Sequence, residues 1–158
     1  MLNTAKLLIY EVMLLMAKIR FTKQSTDNDT ILLIKTDELG DYILFRNYIQ
    51  LFIATYAQNK KIIFIGNELW KNLFENFEQH PGIIATYWVN KKKFKSQMPY
   101  RYRLLKLVNR LSAATAINFV YSRTRRFEDA IVSASSAAIK IGYAGNTDNA
   151  LPLEKLLN

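Results

Sequence analysis

A chain of 158 residues, half of them hydrophobic, is long enough for one domain with a substantial core. Cysteine is absent, which excludes disulfides, thiol nucleophiles and cysteine-ligated metal centres. The single histidine, His80 in the turn-like Gln79-His-Pro-Gly82, reads as a surface turn residue and argues against a histidine triad or zinc site. The net charge of +9 is concentrated, because no acidic residue lies between Glu78 and Glu128 while eleven basic residues do. Such a one-signed region gathers anions, which here would be phosphorylated saccharides, lipid headgroups or nucleic acid; a merely solvated face is the plain alternative.

Residues 1–25 open the chain with an apolar run, Leu7–Met16, interrupted by Glu11 and flanked by Lys6, Lys18, Arg20 and Lys23. The run is shorter than the ~20 residues a membrane-spanning helix takes, and Glu11 argues against a secretory signal. Two readings stay open: an amphipathic helix in the headgroup region of a membrane, or a helix packed on the domain.

After a polar loop at Thr26–Thr30, strands and helices alternate. Ile31–Lys35 reads as a buried strand and Tyr42–Tyr56 as a helix, with Phe45, Ile49, Phe52 and Tyr56 on its apolar face and Arg46, Asn47 and Gln50 on its polar one. Lys61–Ile65 is a second strand. Gly66-Asn67 offers a turn and cap for a helix with Leu69, Trp70, Leu73, Phe74 and Phe77 at core spacing. Ile83–Val89 is a third strand, followed by a lysine-rich loop and a basic helix from Pro99 to about Leu111. Ala116–Val120, Phe127–Ala138 and Ile139–Tyr143 read as strand, helix and strand, and Gly145–Asn149 as a turn before a short Leu-rich tail. This alternation predicts an α/β fold, a Rossmann-like parallel sheet flanked by helices, over residues 30–150.

The turn after the first strand, Lys35-Thr-Asp37-Glu-Leu-Gly40-Asp41, carries the chemistry. One glycine is too few for a dinucleotide fingerprint, and Lys35-Thr36 lacks the glycines of a phosphate-binding loop. What the turn supplies instead is a carboxylate, Asp41, at the amino-terminal end of a helix, where it would either cap the helix or face a ligand. Lys35 reads either as a strand-end charge reaching solvent or as an anion contact.

The segment Ile31–Phe45, with Leu-Gly-Asp opening the helix, resembles the start of family 9 glycosyltransferases, the group that includes the lipopolysaccharide heptosyltransferases. Ile65-Gly-Asn67 with Trp70, Tyr121-Ser-Arg123 with Asp129, and Lys140-Ile-Gly-Tyr-Ala-Gly145 with Asn149 continue the likeness. The resemblance implies the amino-terminal, acceptor-binding half of a GT-B fold, with no metal or other cofactor. It implies Asp41 as general base and Lys35, Asp37, Glu38, Gly40, Ser122 and Arg123 as acceptor contacts, with Lys91, Lys92, Lys93 and Lys95 meeting acceptor phosphates or a membrane surface. The nucleotide-sugar would bind a carboxyl-terminal domain that this sequence does not contain. The chain alone is therefore expected not to transfer sugar, and a separately encoded donor domain is an implied partner. The implied location is cytoplasmic, at the inner face of the inner membrane. Two other readings remain: a non-catalytic module docking on anionic membrane or phosphorylated glycan, and nucleic-acid binding. Phe94, Tyr100 and Tyr102 among the basic residues suit nucleic acid, but no helix-turn-helix, RRM or KH pattern accompanies them.

Overall fold

The computed structural model describes residues 2–19, 27–56, 58–78 and 80–143, and they form the expected α/β fold. In chain order the elements are α1 (Leu2–Lys18), β1 (Asp27–Lys35), α2 (Leu39–Tyr56), β2 (Lys61–Asn67), α3 (Lys71–Phe77), β3 (Ile83–Val89), α4 (Lys91–Ser96), α5 (Met98–Arg110), β4 (Ala113–Asn118), α6 (Glu128–Ala134) and β5 (Ile139–Gly142). The five strands are all parallel, in the order β3-β2-β1-β4-β5, which puts β1 at the centre.

Alternation along the strands separates two cores, as a parallel sheet covered by helices requires. Leu33, Ile62 and Phe64 pack with Tyr42, Ile49 and Ile53 of α2 and Phe74 of α3. Leu32, Ile34, Ile63 and Ile65 point the other way, against Phe94 of α4, Leu104, Leu105 and Val108 of α5, Ile131 of α6 and Ala17 of α1. Helix α1 is thus docked on the domain. Its Tyr10 ring stacks on the Arg101 guanidinium, and its Glu11 pairs with Arg125.

Several elements differ from expectation. The lysine-rich segment is a helix, α4, rather than a loop. Asn90 caps it by accepting from the Lys93 amide, and Phe94 anchors it in the core. Strand β1 starts at Asp27, because the Asp27 carboxylate bonds the Asp29 amide, Thr30 and Lys61 and so turns the polar loop into a strand end. Strand β4 is Ala113–Asn118, earlier than the expected 116–120, and α6 stops at Ala134, where Ser135 is extended. Gly66 and Asn67 remain in β2, and a 3₁₀ turn at Glu68–Trp70 precedes α3. That tighter turn shifts the helix phase, so Trp70, Phe74 and Glu78 face inward while Leu69, Leu73 and Phe77 are exposed. On α2 the buried positions are Tyr42, Ile49 and Ile53. Tyr56 is exposed, and the polar Arg46 and Gln50 turn to the buried Glu78. The Gly145–Asn149 turn and the Leu-rich tail lie outside the described residues.

Candidate functional site: the carboxyl end of the central strand

Successive connections leave β1 and β4 for opposite faces of the sheet: α2 covers one side, and α6 the other. A crevice opens between adjacent parallel strands at such a point, which is where open α/β sheets bind ligands. Two hollows of about 510 Å³ each flank it, and Asp37 and Asp41 line both. One is apolar, walled by Leu44, Phe45, Tyr48, Leu51 and Phe52 of α2 and by Phe119, Tyr121 and Tyr143 beyond β4 and β5. The other is polar, lined by Glu38, Lys91, Lys95, Arg101, Ser122, Thr124 and Glu128, with Tyr10 of α1 at its edge.

Asp41 is exposed and lies in the first turn of α2, which begins at Leu39 rather than at the expected Tyr42. It is the third residue of the helix and not the cap; the Tyr42 amide is satisfied by the Glu38 carbonyl. A Cβ added to Gly40 would meet nothing within 4 Å, so this glycine leaves open ground beside the carboxylate. Glu38 is exposed and its carboxylate accepts from Lys91 Nζ at 2.8 Å across the mouth of the polar hollow.

Lys35 does not reach solvent. It is 5 % exposed, its ammonium donating to Asp37 Oδ2 at 2.7 Å and to the Phe119 carbonyl at 3.2 Å and lying over the Phe45 ring. Burial raises the Asp37 carboxyl above the ordinary aspartate range, while the bond from Lys35 works in the opposite direction. The pair is a mutually neutralised floor to the crevice rather than two contacts reaching outward. The turn above it is held by other side chains at the β2 end. Asn67 Nδ2 donates to the Asp37 carbonyl at 3.0 Å, and Trp70 Nε1 donates to the same oxygen at 3.1 Å. Gly66 lets the rings of Trp70 and Trp88 close over β2, since a Cβ there would sit 2.5–2.9 Å from them.

The remaining expected residues divide. Ser122 lies on the polar hollow, as do Lys91 and Lys95. Lys92 and Lys93 are exposed elsewhere on α4 and line neither hollow. Arg123 pairs with Asp129 at 2.9 Å and lines a separate depression with Glu11, Arg125 and Lys140, away from Asp41. Both the Ser122-Arg123 pair and the lysine cluster are thus split by the fold.

Sequence reasoning missed Arg101, which looks like any other cation of a basic helix. It is 2 % exposed, lies between the Tyr10 and Phe94 rings, and donates to the Arg126 carbonyl. Burial lowers its pKa to about 10, so it stays charged at neutral pH. Glu128 was missed as well; the Thr124 amide and hydroxyl donate to it, and burial raises its carboxyl above the ordinary glutamate range. Among the described residues, the buried side-chain polar atoms without a hydrogen-bond partner are Thr36 Oγ1, Asp37 Oδ1, Asn118 Nδ2 and Arg101 Nε. The first three belong to the carboxyl ends of β1 and β4, and Arg101 lines the polar hollow. Buried polar groups are nearly always paired, so unpaired ones gathered at one place mark a ligand-facing region. No group of three His, Cys, Asp or Glu that could hold a metal occurs among the described residues, and a lone Gly40 does not make a phosphate cradle.

The arrangement brings an exposed carboxylate, with hydroxyl and ammonium groups on one side and an aromatic wall on the other, to the mouth of the central strand. It can accept a proton from, and orient, the hydroxyl of a ligand lying across both hollows. No protein-family model matches the chain, and neither the curated proteins nor the solved structures searched contain a match.

Proposed function

We propose that this chain is the acceptor-binding lobe of an inverting, metal-independent glycosyltransferase of the family 9 type, acting on a glycan or glycolipid acceptor such as a lipopolysaccharide core. The observation that carries the reading is the placement of Asp41: exposed, beside Gly40, in the first turn after the central strand and on the wall common to both hollows. In the proposed reaction an acceptor hydroxyl lies against the Asp41 carboxylate. As its oxygen forms a bond to the anomeric carbon of the donor, the hydroxyl proton passes to Asp41. The bond to the nucleoside diphosphate breaks on the opposite face, and the diphosphate leaves with the electron pair. Ser122 and Lys95 are placed to hold other acceptor oxygens, and Lys91, already bridged to Glu38, to orient that carboxylate.

The donor falls to a second lobe facing the carboxyl ends of β1 and β4. Leaving-group stabilisation and positioning supply much of such a rate, so the lobe alone should be inactive. The test mixes the purified chain, a core oligosaccharide acceptor and a nucleotide-heptose donor, with and without a donor lobe from a family 9 enzyme. Transfer is expected only in the complemented mixture, and Asp41→Asn should abolish it while leaving the thermal transition in place. Transfer by the Asp41→Asn variant at the wild-type rate would overturn the assignment.

A further inference from the structure

Helix α1 buries one face and leaves another bare. Tyr10, Leu14 and Ala17 turn toward α5, α6 and the core. Leu8, Ile9, Val12, Leu15, Met16 and Ile19 turn outward, each between 49 and 66 % exposed. Their spacing of three and four residues gathers them into a single stripe spanning roughly 120° of the helix surface, as wide as a core-facing stripe. Helices with a solvent-facing side ordinarily make it polar; an apolar stripe on both sides points to a second apolar environment.

The surroundings of the stripe are cationic. Arg103, Lys106 and Arg110 lie at i, i+3 and i+7 on one face of α5, and that face meets the end of α1, where Lys106 Nζ donates to the Ile19 carbonyl. Lys18 ends the helix, and its charge, after burial, helps to lower the Lys140 pKa, so the two ammonium groups are neighbours. The one carboxylate of the helix, Glu11, is turned from the stripe and paired with Arg125. No acidic residue occurs anywhere in α5.

We infer that the outward face of α1, with the basic face of α5, is a docking surface for an anionic lipid bilayer. The helix lies in the interface plane, its stripe reaching about 5–10 Å into the headgroup–acyl boundary while the cations meet lipid phosphates. No helix among the described residues is long and apolar enough to cross a membrane, so the contact is with one leaflet. The inference does not depend on the proposed glycosyl transfer, since none of the stripe residues lines the Asp41 hollows.

Co-sedimentation of the full chain with vesicles tests it, comparing phosphatidylcholine alone with a phosphatidylcholine–phosphatidylglycerol mixture. Binding to the anionic vesicles only, falling as salt is raised, is expected. The Leu8→Glu/Leu15→Glu variant, whose positions are exposed and so spare the fold, should weaken binding ~10-fold or more, and Arg103→Gln/Arg110→Gln should weaken it and flatten its salt dependence. A control, Leu44→Glu/Leu51→Glu on the exposed side of α2, should bind as wild type. Wild-type protein that stays in the supernatant with anionic vesicles would overturn the inference, as would undiminished binding of Leu8→Glu/Leu15→Glu. So would a wild-type dimer in sedimentation velocity that this variant dissociates without any vesicle binding, since a second copy would then cover the stripe.

Discussion

Two glycines of this chain have opposite energetics. Gly66 is fixed by its neighbours, since a methyl group would press on the Trp70 and Trp88 rings. Gly66→Ala should therefore cost about 1–3 kcal/mol in denaturant unfolding, the range of core overpacking. Gly40 sits in a helix turn with open space around it, so Gly40→Ala should stabilise by about 0.5–1 kcal/mol through helix propensity. If the proposed acceptor crosses that ground, the same variant should also bind it less well. Glu128 gives a pH signature. Its folded-state carboxyl is raised, so the folded protein holds this proton more tightly than the unfolded chain, and its contribution to stability is lost as pH rises from the unfolded value through the folded one. Glu128→Gln keeps an acceptor for Thr124 and removes the ionisation, so the fall in stability through the weakly acid range should flatten; an unchanged pH profile would contradict the burial account.

Single side chains also mark where the sequence stopped being legible. The motif residues around the first strand could be read, and Asn67 and Trp70 do secure the turn that carries Asp37. Lys35 could not be placed from sequence alone. Whether a strand-end lysine folds back onto a carboxylate two residues later depends on Phe45 and Phe119 from distant elements closing over it. Arg101 was equally opaque, because its burial is created by Tyr10 of a helix more than ninety residues earlier.

At the scale of elements, β1, β2 and β3 were readable because unbroken apolar runs leave few alternatives, whereas α4 was hidden by four lysines in six residues. Its signal was the spacing of Asn90, as cap, and Phe94, as anchor. Helices α2 and α3 are joined by a polar device that periodicity treated as an outer face. The Glu78 carboxylate, 2 % exposed, accepts from Tyr42, Arg46 and Gln50. Burial and the adjacent Glu78 charge raise the Tyr42 hydroxyl pKa well above its ordinary value, so the hydroxyl stays a donor. Glu78→Ala strands those donors in the interior and should cost about 3 kcal/mol, most of it recovered by Glu78→Gln. Strand β5 is the exposed element: Ile139 and Ile141 pair beside Thr115 and Ile117, yet are half exposed on the α2 side of the sheet. Its amides should exchange with solvent faster than those of β1, which is paired on both sides.

The molecule as a whole is organised around the divergence of β1 and β4. The chain builds one flank of the sheet, crosses over and builds the other, and the only sequence trace of this is the order of alternating strands and helices. Fold class was legible for that reason, while the division of the basic region was not. Lys91 and Lys95 face the hollow beside Asp41, Arg123 faces another depression, and Arg103, Lys106 and Arg110 share the face of α5 that meets α1. One stretch of sequence thus feeds two surfaces. The amphipathic character of the crevice, aromatic on one side of Asp41 and ionic on the other, matches an acceptor that is itself amphiphilic, in keeping with the proposed glycolipid chemistry.

The central claim is that a sugar hydroxyl rests against Asp41. Amide chemical-shift mapping of the ¹⁵N-labelled chain with a lipopolysaccharide core oligosaccharide tests it most directly. The account requires saturable shifts clustered at Leu39–Tyr42 and Ser122–Thr124, displaced by Asp41→Asn, with the Arg123–Asp129 depression and α1 silent. Shifts confined to that depression or to α1, or no saturable shifts at all, would contradict it.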